Sequence, residues 1–247
     1  MYKLVINDKT QNFEDFLINI KKYFQKNNNT IHKARNELKI IPYNKIDTIV
    51  KSFKVPNFFR RVFYTYYRDS KAKKSYEYSL KIGQFTPTPI GYIEFFKKGL
   101  LSESYFVSEK FDYDFTIREP LLEENFRDRG EVFKAFARFT FELHENSILH
   151  KDYSPGNILI KQNESEYIFQ IVDINRMEFR KLSLEERLKN FSQLWAKDEH
   201  LTVIIKEYAI LVKEDEQKCL ELALQYSQKH KDKKNWKKRL KGEKVVD

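Results

Sequence analysis

The first regularity along the chain is a stripe of large apolar residues, Phe13, Phe16, Leu17, Ile20 and Phe24, spaced three and four apart. That spacing lines one face of a helix, so it predicts a short N-terminal helix that the run Asn27-Asn28-Asn29 ends. The pattern then changes period. Leu38-Lys39-Ile40-Ile41, the turn residues Pro42-Tyr43-Asn44 and the β-branched segment Thr48-Ile49-Val50 predict a hairpin over residues 38–53. Residues 68–82 read as a helix, and a strand pair is expected at 91–95 and 104–107, after the turn at Pro87 and Pro89. The first half is therefore sheet with one helix.

The second half is mostly helical. Val132, Phe133, Phe136, Ala137, Phe139, Thr140 and Leu143 keep helical spacing, and residues 183–241 form helices with basic ends. Between them, Asn157-Ile158-Leu159-Ile160 and Phe169-Gln170-Ile171-Val172 flank a polar turn and predict a small β-ribbon.

Both ends of that ribbon carry polar residues suited to chemistry. His150-Lys151-Asp152-Tyr153-Ser154-Pro155-Gly156-Asn157 has the spacing H-x-D-x-x-x-x-N, and Ile171-Val172-Asp173 closes the second strand in another acid. This is the pattern of a kinase catalytic loop followed by a metal-binding aspartate. Phosphoryl transfer needs a carboxylate to orient and deprotonate the acceptor hydroxyl, a role that suits Asp152. It also needs oxygen ligands for magnesium, which Asn157 and Asp173 supply as a neutral amide and a full charge. Taken singly, Asp152 is a common turn or capping residue and Asn157 a common turn-closing one. His150 and His144 read as structural.

Nucleotide phosphates need a cation, and Lys51 ends a strand segment of the V-A-I-K type. Alternation puts Ile49, Lys51 and Phe53 on one face, with Ile49 placed to roof an adenine and Lys51 to reach phosphates; Lys54 is the second choice. A solvated strand lysine is the plain alternative. Glu77 is the sole glutamate between Glu37 and Glu94, and so the candidate to position Lys51. Lys73 and Lys81 lie four residues either side of it, which makes surface ion pairs its alternative role.

Composition narrows the class. The chain has 247 residues, of which 41% are hydrophobic and 15% aromatic, enough apolar surface for a sizeable core. One cysteine, Cys219, excludes an internal disulfide and a cysteine-built zinc site, and reads as an ordinary partly buried thiol. Charge breaks residues 1–8 too early for a signal-peptide core, no run approaches the length of a membrane span, and a cytoplasmic location is expected. The formal charge of +10 is concentrated in residues 51–81 and 228–247. These basic surfaces suit any polyanion, or simply solvation.

Together these residues resemble the lipopolysaccharide kinase (Kdo/WaaP) family. The resemblance spans most of the chain and is carried by Lys33-Ala34-Arg35-Asn36, the segment from Ile49 to Asn57, Tyr76-Glu77-Tyr78, Thr86-Pro87-Thr88-Pro89-Ile90-Gly91, the loop from His150 to Asn157, and Val172-Asp173-Ile174-Asn175-Arg176. It implies an α+β, bilobal, protein-kinase-like fold: an antiparallel N-terminal sheet with one helix over residues 1–108, and a mainly helical catalytic lobe over 109–247. It also implies ATP and magnesium as cofactors, with Asp152 as base, Asn157 and Asp173 as metal ligands, Lys51 and Glu77 as an ion pair, and hinge contacts from Glu109 to Phe111. The acceptor it implies is a Kdo or heptose hydroxyl of the lipopolysaccharide inner core, at the inner face of the inner membrane.

The sequence departs from the kinase pattern in several places. No Gly-rich loop precedes the first strands, and residues 32–37 stand at that turn. Asp173-Ile174-Asn175 replaces D-F-G, which removes the switch glycine and predicts a constitutively ordered site. Ser154 stands at the usual lysine of Ser/Thr protein kinases, Lys151 replaces arginine, and no A-P-E follows Asp173. A glycan or small molecule therefore fits better than a peptide.

Two other functions use the same residues. A soluble aminoglycoside-type phosphotransferase would work without lipid, and a kinase-fold scaffold would bind polyanions without transferring phosphate; nucleic acid is disfavoured because no recognisable module is present. The aromatics of residues 58–67, interleaved with Arg60, Arg61 and Arg68, read either as strand core or as peripheral contact with an anionic membrane, as do the lysines after Trp236.

Overall fold

The computed structural model describes residues 1–33, 36–53, 57–164 and 166–242, and the chain forms two compact units. The first comprises residues 1–112 with 173–175; the second comprises 113–172 with 176–247.

The first unit is built on a six-stranded sheet. Its strands are β1 (Tyr2–Ile6), β2 (Thr30–Lys33), β3 (Asn36–Tyr43), β4 (Ile46–Phe53), β5 (Pro89–Lys97) and β6 (Leu100–Glu109), in the order β1-β5-β6-β4-β3-β2, with every neighbouring pair antiparallel. The apolar stripe predicted as one helix is divided. A 3-10 turn (Asp8–Phe13) leads into helices α1 (Glu14–Ile18) and α2 (Ile20–Lys26), which break at Asn19, whose side-chain amide bonds back to the Asp15 carbonyl. The stripe itself is intact: Phe13, Phe16, Leu17, Ile20 and Phe24 pack on Ile41, Val50, Ile90, Ile93 and Val107. Each such side chain contributes roughly 1.5–3 kcal/mol by leaving water. Gly91 lets β1 and α1 come this close, since a Cβ there would stand 2.6 Å from the Val5 carbonyl oxygen and 2.8 Å from Leu17 Cδ1.

The opposite face of the sheet carries α4 (Lys71–Ile82), as expected for 68–82, capped by the Ser70 hydroxyl accepting from Lys73 N–H. Its buried residues Ala72 and Tyr76 pack with Phe53 and Tyr92. Residues 58–67 are not strand core. They form helix α3 (Phe58–Tyr66), because Phe59, Phe63 and Tyr66 repeat at helical rather than alternate spacing.

The second unit holds β7 (Phe115–Thr116), α5 (Arg118–Leu122), α6 (Arg129–Glu145), β8 (Ile148–His150), β9 (Ile158–Gln162), β10 (Tyr167–Ile171) and β11 (Met177–Phe179), then α7 (Leu184–Phe191), α8 (Asp198–Val212) and α9 (Glu216–Leu240). The predicted ribbon is β9 paired with β10, and β8 pairs with β11. The helical region after residue 183 is opened by the Ser183 capping box, cut at Trp195 and Lys213, both at positive φ, and restarted after the second cut by the Asp215 cap. The described residues contain no helix long and apolar enough to cross a membrane.

Candidate active site

In the second unit, the loop from Lys151 to Asn157 is fixed at both ends by strands, with His150 paired to Met177 and Ile158 to Ile171. Its middle is fixed by burial. Tyr153 is completely buried, its ring stacks on Phe136, and its hydroxyl bonds the Thr140 hydroxyl at 2.9 Å. Burial pushes that phenol up from its ordinary pKa. His150 Nδ1 accepts from Asp152 N–H at 3.0 Å while Nε2 donates to the Val172 carbonyl at 2.9 Å, which fixes one tautomer. His150 is thus the brace expected of it.

A second brace lies beneath. Asn190 donates to the His150 carbonyl at 3.0 Å and accepts from His144 Nε2 at 3.2 Å, and His144 Nδ1 accepts from the Tyr208 hydroxyl at 2.8 Å. Asn190, His144 and Tyr208 are all buried, and burial holds the His144 imidazole down at about 4. The sequence singles out His144 as structural but not Asn190, whose position four residues after Glu186 on α7 carries no signal of its own.

The braced loop presents its polar groups in a definite way. Asn157 Nδ2 donates to the Asp152 carbonyl at 2.9 Å, which leaves its amide oxygen, among the described residues, without a hydrogen-bond donor. That is the atom a hard cation takes. The Asp152 carboxylate is part exposed and accepts from the Arg176 guanidinium through Oδ2, while Oδ1 has no donor among the described residues. Arg118 was not foreseen. Its guanidinium lies against Gly156, where a Cβ would stand 2.6 Å from Nη2, and the only sequence trace of that approach is the glycine.

In the first unit, Lys51 lies on β4 between Leu38 of β3 and Phe106 of β6 and is only 8% exposed. Its ammonium meets Asp173 Oδ1 at 2.5 Å and lies 5.5 Å from the centre of the Phe53 ring. Asn175 also donates to Asp173 Oδ1, at 2.7 Å. Asp173 has φ +57°, the left-handed region that Asp and Asn enter more readily than other side chains apart from glycine.

Ile49 is half-buried on the same strand, and Glu109, at the end of β6, donates its N–H to the Thr88 carbonyl at 2.9 Å, with Phe111 half-buried beyond it. Glu77 does not meet Lys51. It lies one residue past Tyr76, off the face that α4 buries, and pairs with Lys73 at 3.6 Å with its side chain 48% exposed. Lys54 lies outside the described residues, as do Ala34 and Arg35 at the turn expected to cover phosphates.

The described residues contain no group of three or more His, Cys, Asp or Glu that could hold a metal ion. Asn157 in the second unit offers an amide oxygen and Asp173 in the first a carboxylate, and each is a type of oxygen ligand that magnesium takes.

No family model matches the sequence, and no curated protein matches it. Solved structures do. WaaP, in a structure with acyl carrier protein, is 13% identical with a TM-score of 0.58, over 93% of this chain and 98% of that one. The Rio2 kinase of Chaetomium thermophilum, in an ADP/Mg2+-phosphoaspartate complex, is 14% identical with a TM-score of 0.46, over 89% of this chain and 77% of that one. Over nearly its whole length, the chain has the fold of WaaP, a protein-kinase-like fold of the kind that the sequence resemblance implies.

Proposed function

We propose that the chain is an ATP- and magnesium-dependent phosphotransferase whose acceptor is a Kdo or heptose hydroxyl of the lipopolysaccharide inner core. The observation that carries the reading is the Lys51–Asp173 pair at 2.5 Å. A cation and a carboxylate removed this far from water gain little stability from each other, so stability alone does not account for them. A phosphate-and-metal site would, because Lys51 would pair with the nucleotide phosphates and Asp173 would serve as a ligand to the metal.

Each further role follows from what the side chain has left to offer. The open Asp152 Oδ1 takes the proton of the acceptor hydroxyl, whose oxygen bonds to the γ-phosphorus as the bond to the bridging oxygen of ADP breaks. Asn157 and Asp173 would hold a magnesium ion, which would neutralise charge on the phosphates. Ile49 lines the adenine side, and Glu109 to Phe111 make the hinge contacts. A carbohydrate acceptor is supported by the short path after Asn175, which enters β11 and then α7 at Leu184 without a platform for a peptide. Placement at the inner face of the inner membrane follows from that acceptor.

The test is incubation with labelled ATP, magnesium and an envelope extract, with Asp152→Ala and Asp173→Ala as controls. Label is expected in lipid-linked glycan, reduced about 10²–10⁴-fold in Asp152→Ala with nucleotide binding nearly intact. Label confined to soluble small molecules would replace the acceptor with an aminoglycoside-type one. Undiminished turnover in Asp152→Ala would remove the base.

A further inference from the structure

Helix α3 is amphipathic the wrong way round. Its polar face is turned to the protein. The Arg61 guanidinium donates from Nε to the Leu101 carbonyl at 2.7 Å and from Nη2 to the Lys97 carbonyl at 3.3 Å. The Thr65 hydroxyl accepts from Leu101 N–H at 3.0 Å and donates to the Arg61 carbonyl at 2.7 Å. A helix of nine residues is too short to persist alone, so these bonds to the β5–β6 turn hold it in place.

The apolar face is turned to solvent. Phe58 is 63% exposed, Phe59 81%, Phe63 47%, Tyr66 68% and Tyr67, just past the helix, 77%. At about 100° per residue these positions fall within one half of the circumference. Their nearest aromatic company is each other: Phe58 meets Phe59 edge-on at 6.0 Å, and Phe63 stacks on Tyr67 at 6.2 Å. A contiguous aromatic face of this kind, left in water and rigidly presented, marks an interaction surface.

Charge selects the occupant. Residues 57–74 hold six Lys or Arg against one acid, Asp69; of the six, Arg61 is turned to the protein and Lys73 pairs with Asp69 at 2.5 Å and with Glu77 at 3.6 Å. Lys97 and Lys98 add two exposed cations on the turn to which Arg61 is anchored. A second copy of the chain docked here about a two-fold axis would set this positive segment against itself. A lipid surface with anionic headgroups offers both halves of the chemistry, an apolar boundary for the rings and phosphates for the cations.

We propose that α3 is a membrane-docking element, with Phe58, Phe59 and Phe63 entering the acyl boundary and Tyr66 and Tyr67 resting at headgroup level. The purpose of such docking rests on the membrane-borne acceptor proposed above; its chemistry does not.

The test is sedimentation of the full chain with vesicles of phosphatidylcholine, with and without phosphatidylglycerol. Binding is expected only with the anionic lipid, and it should weaken at high salt. Phe59→Ser with Phe63→Ser, both at exposed positions, should lower partitioning tenfold or more. Phe59→Trp, in a chain whose Trp195 and Trp236 are replaced by Phe, should bring a fluorescence that brominated lipid quenches. Unchanged partitioning in the double variant, or an unquenched Trp at position 59, would overturn the proposal. So would self-association without vesicles that the same double variant abolishes, which would hand the face to a second copy. Retained turnover on a soluble acceptor without vesicle binding defeats the docking element alone. Vesicle binding without turnover defeats the phosphotransferase alone.

Discussion

Lys51 reaches Asp173 from within a six-stranded sheet, with its side chain 10% exposed, whereas Arg176 reaches Asp152 from the surface, with 57% of its side chain in contact with solvent. Both contacts join a cation to a carboxylate, and they differ in what holds them. The first is set by strand register and a dry neighbourhood, where neither salt nor side-chain entropy weakens it much. The second holds a long exposed side chain that water and salt release easily, and exposed pairs contribute little. Under the proposed chemistry the difference is useful. A fixed cation suits phosphates that are always bound in the same place, and a releasable one suits a base that must let an acceptor hydroxyl in.

The contrast predicts unequal consequences. Lys51→Met should lower kcat/KM about 10²–10³-fold with a parallel loss of nucleotide affinity, and the loss should be nearly independent of salt. Measuring both at low and high ionic strength checks it; a defect that salt erases would place Lys51 among the screened surface cations.

The next effect concerns the buried support of the Asp152 loop. Burial holds His144 at about 4, below its ordinary 6.5. Between these values the unfolded chain binds a proton that the folded chain excludes. Stability is therefore fully present above about pH 6.5 and falls as pH drops toward 4, by about 3 kcal/mol. Denaturant unfolding across that range should show the slope, and His144→Gln should flatten it. An equal slope in that variant would remove His144 from the account.

The smallest effect is assigned to the surface contact. Arg176→Ala should change kcat less than about tenfold, with the difference vanishing toward 1 M salt, where the Debye length is about 3 Å. A larger and salt-resistant loss would make Arg176 a second fixed cation and dissolve the contrast.

Periodicity made much of this architecture legible. The stripe from Phe13 to Phe24, the α4 region, the α6 face and the β9–β10 ribbon each bury a regular pattern, and burial is what a pattern encodes. The Asp152 to Asn157 loop was legible because its backbone bonding requires fixed spacing. Other features were set by partners distant in sequence. Strand β1 exists through its pairing with β5, ninety residues away, and nothing within Tyr2-Lys3-Leu4-Val5-Ile6 demands it. Glu77 was singled out because no other glutamate stood nearby in sequence, whereas one step of helix phase sends it to Lys73 instead. Of the two readings open for residues 58–67, strand core fails, although large aromatic residues normally signal burial. Here the inward-facing groups include the half-buried Arg61 and Thr65, bonded to a turn some forty residues on.

The left-handed backbone of Asp173 bears on what a substitution there would measure. At φ +57° the residue that relieves the turn is glycine, and any other side chain there costs on the order of 1 kcal/mol. Asp173→Gly would remove the carboxylate while easing the backbone, and Asp173→Asn would remove the charge while keeping a side chain that tolerates the turn. The pair of variants separates two demands that most positions confound: one for a backbone that folds, and one for a carboxylate at that point.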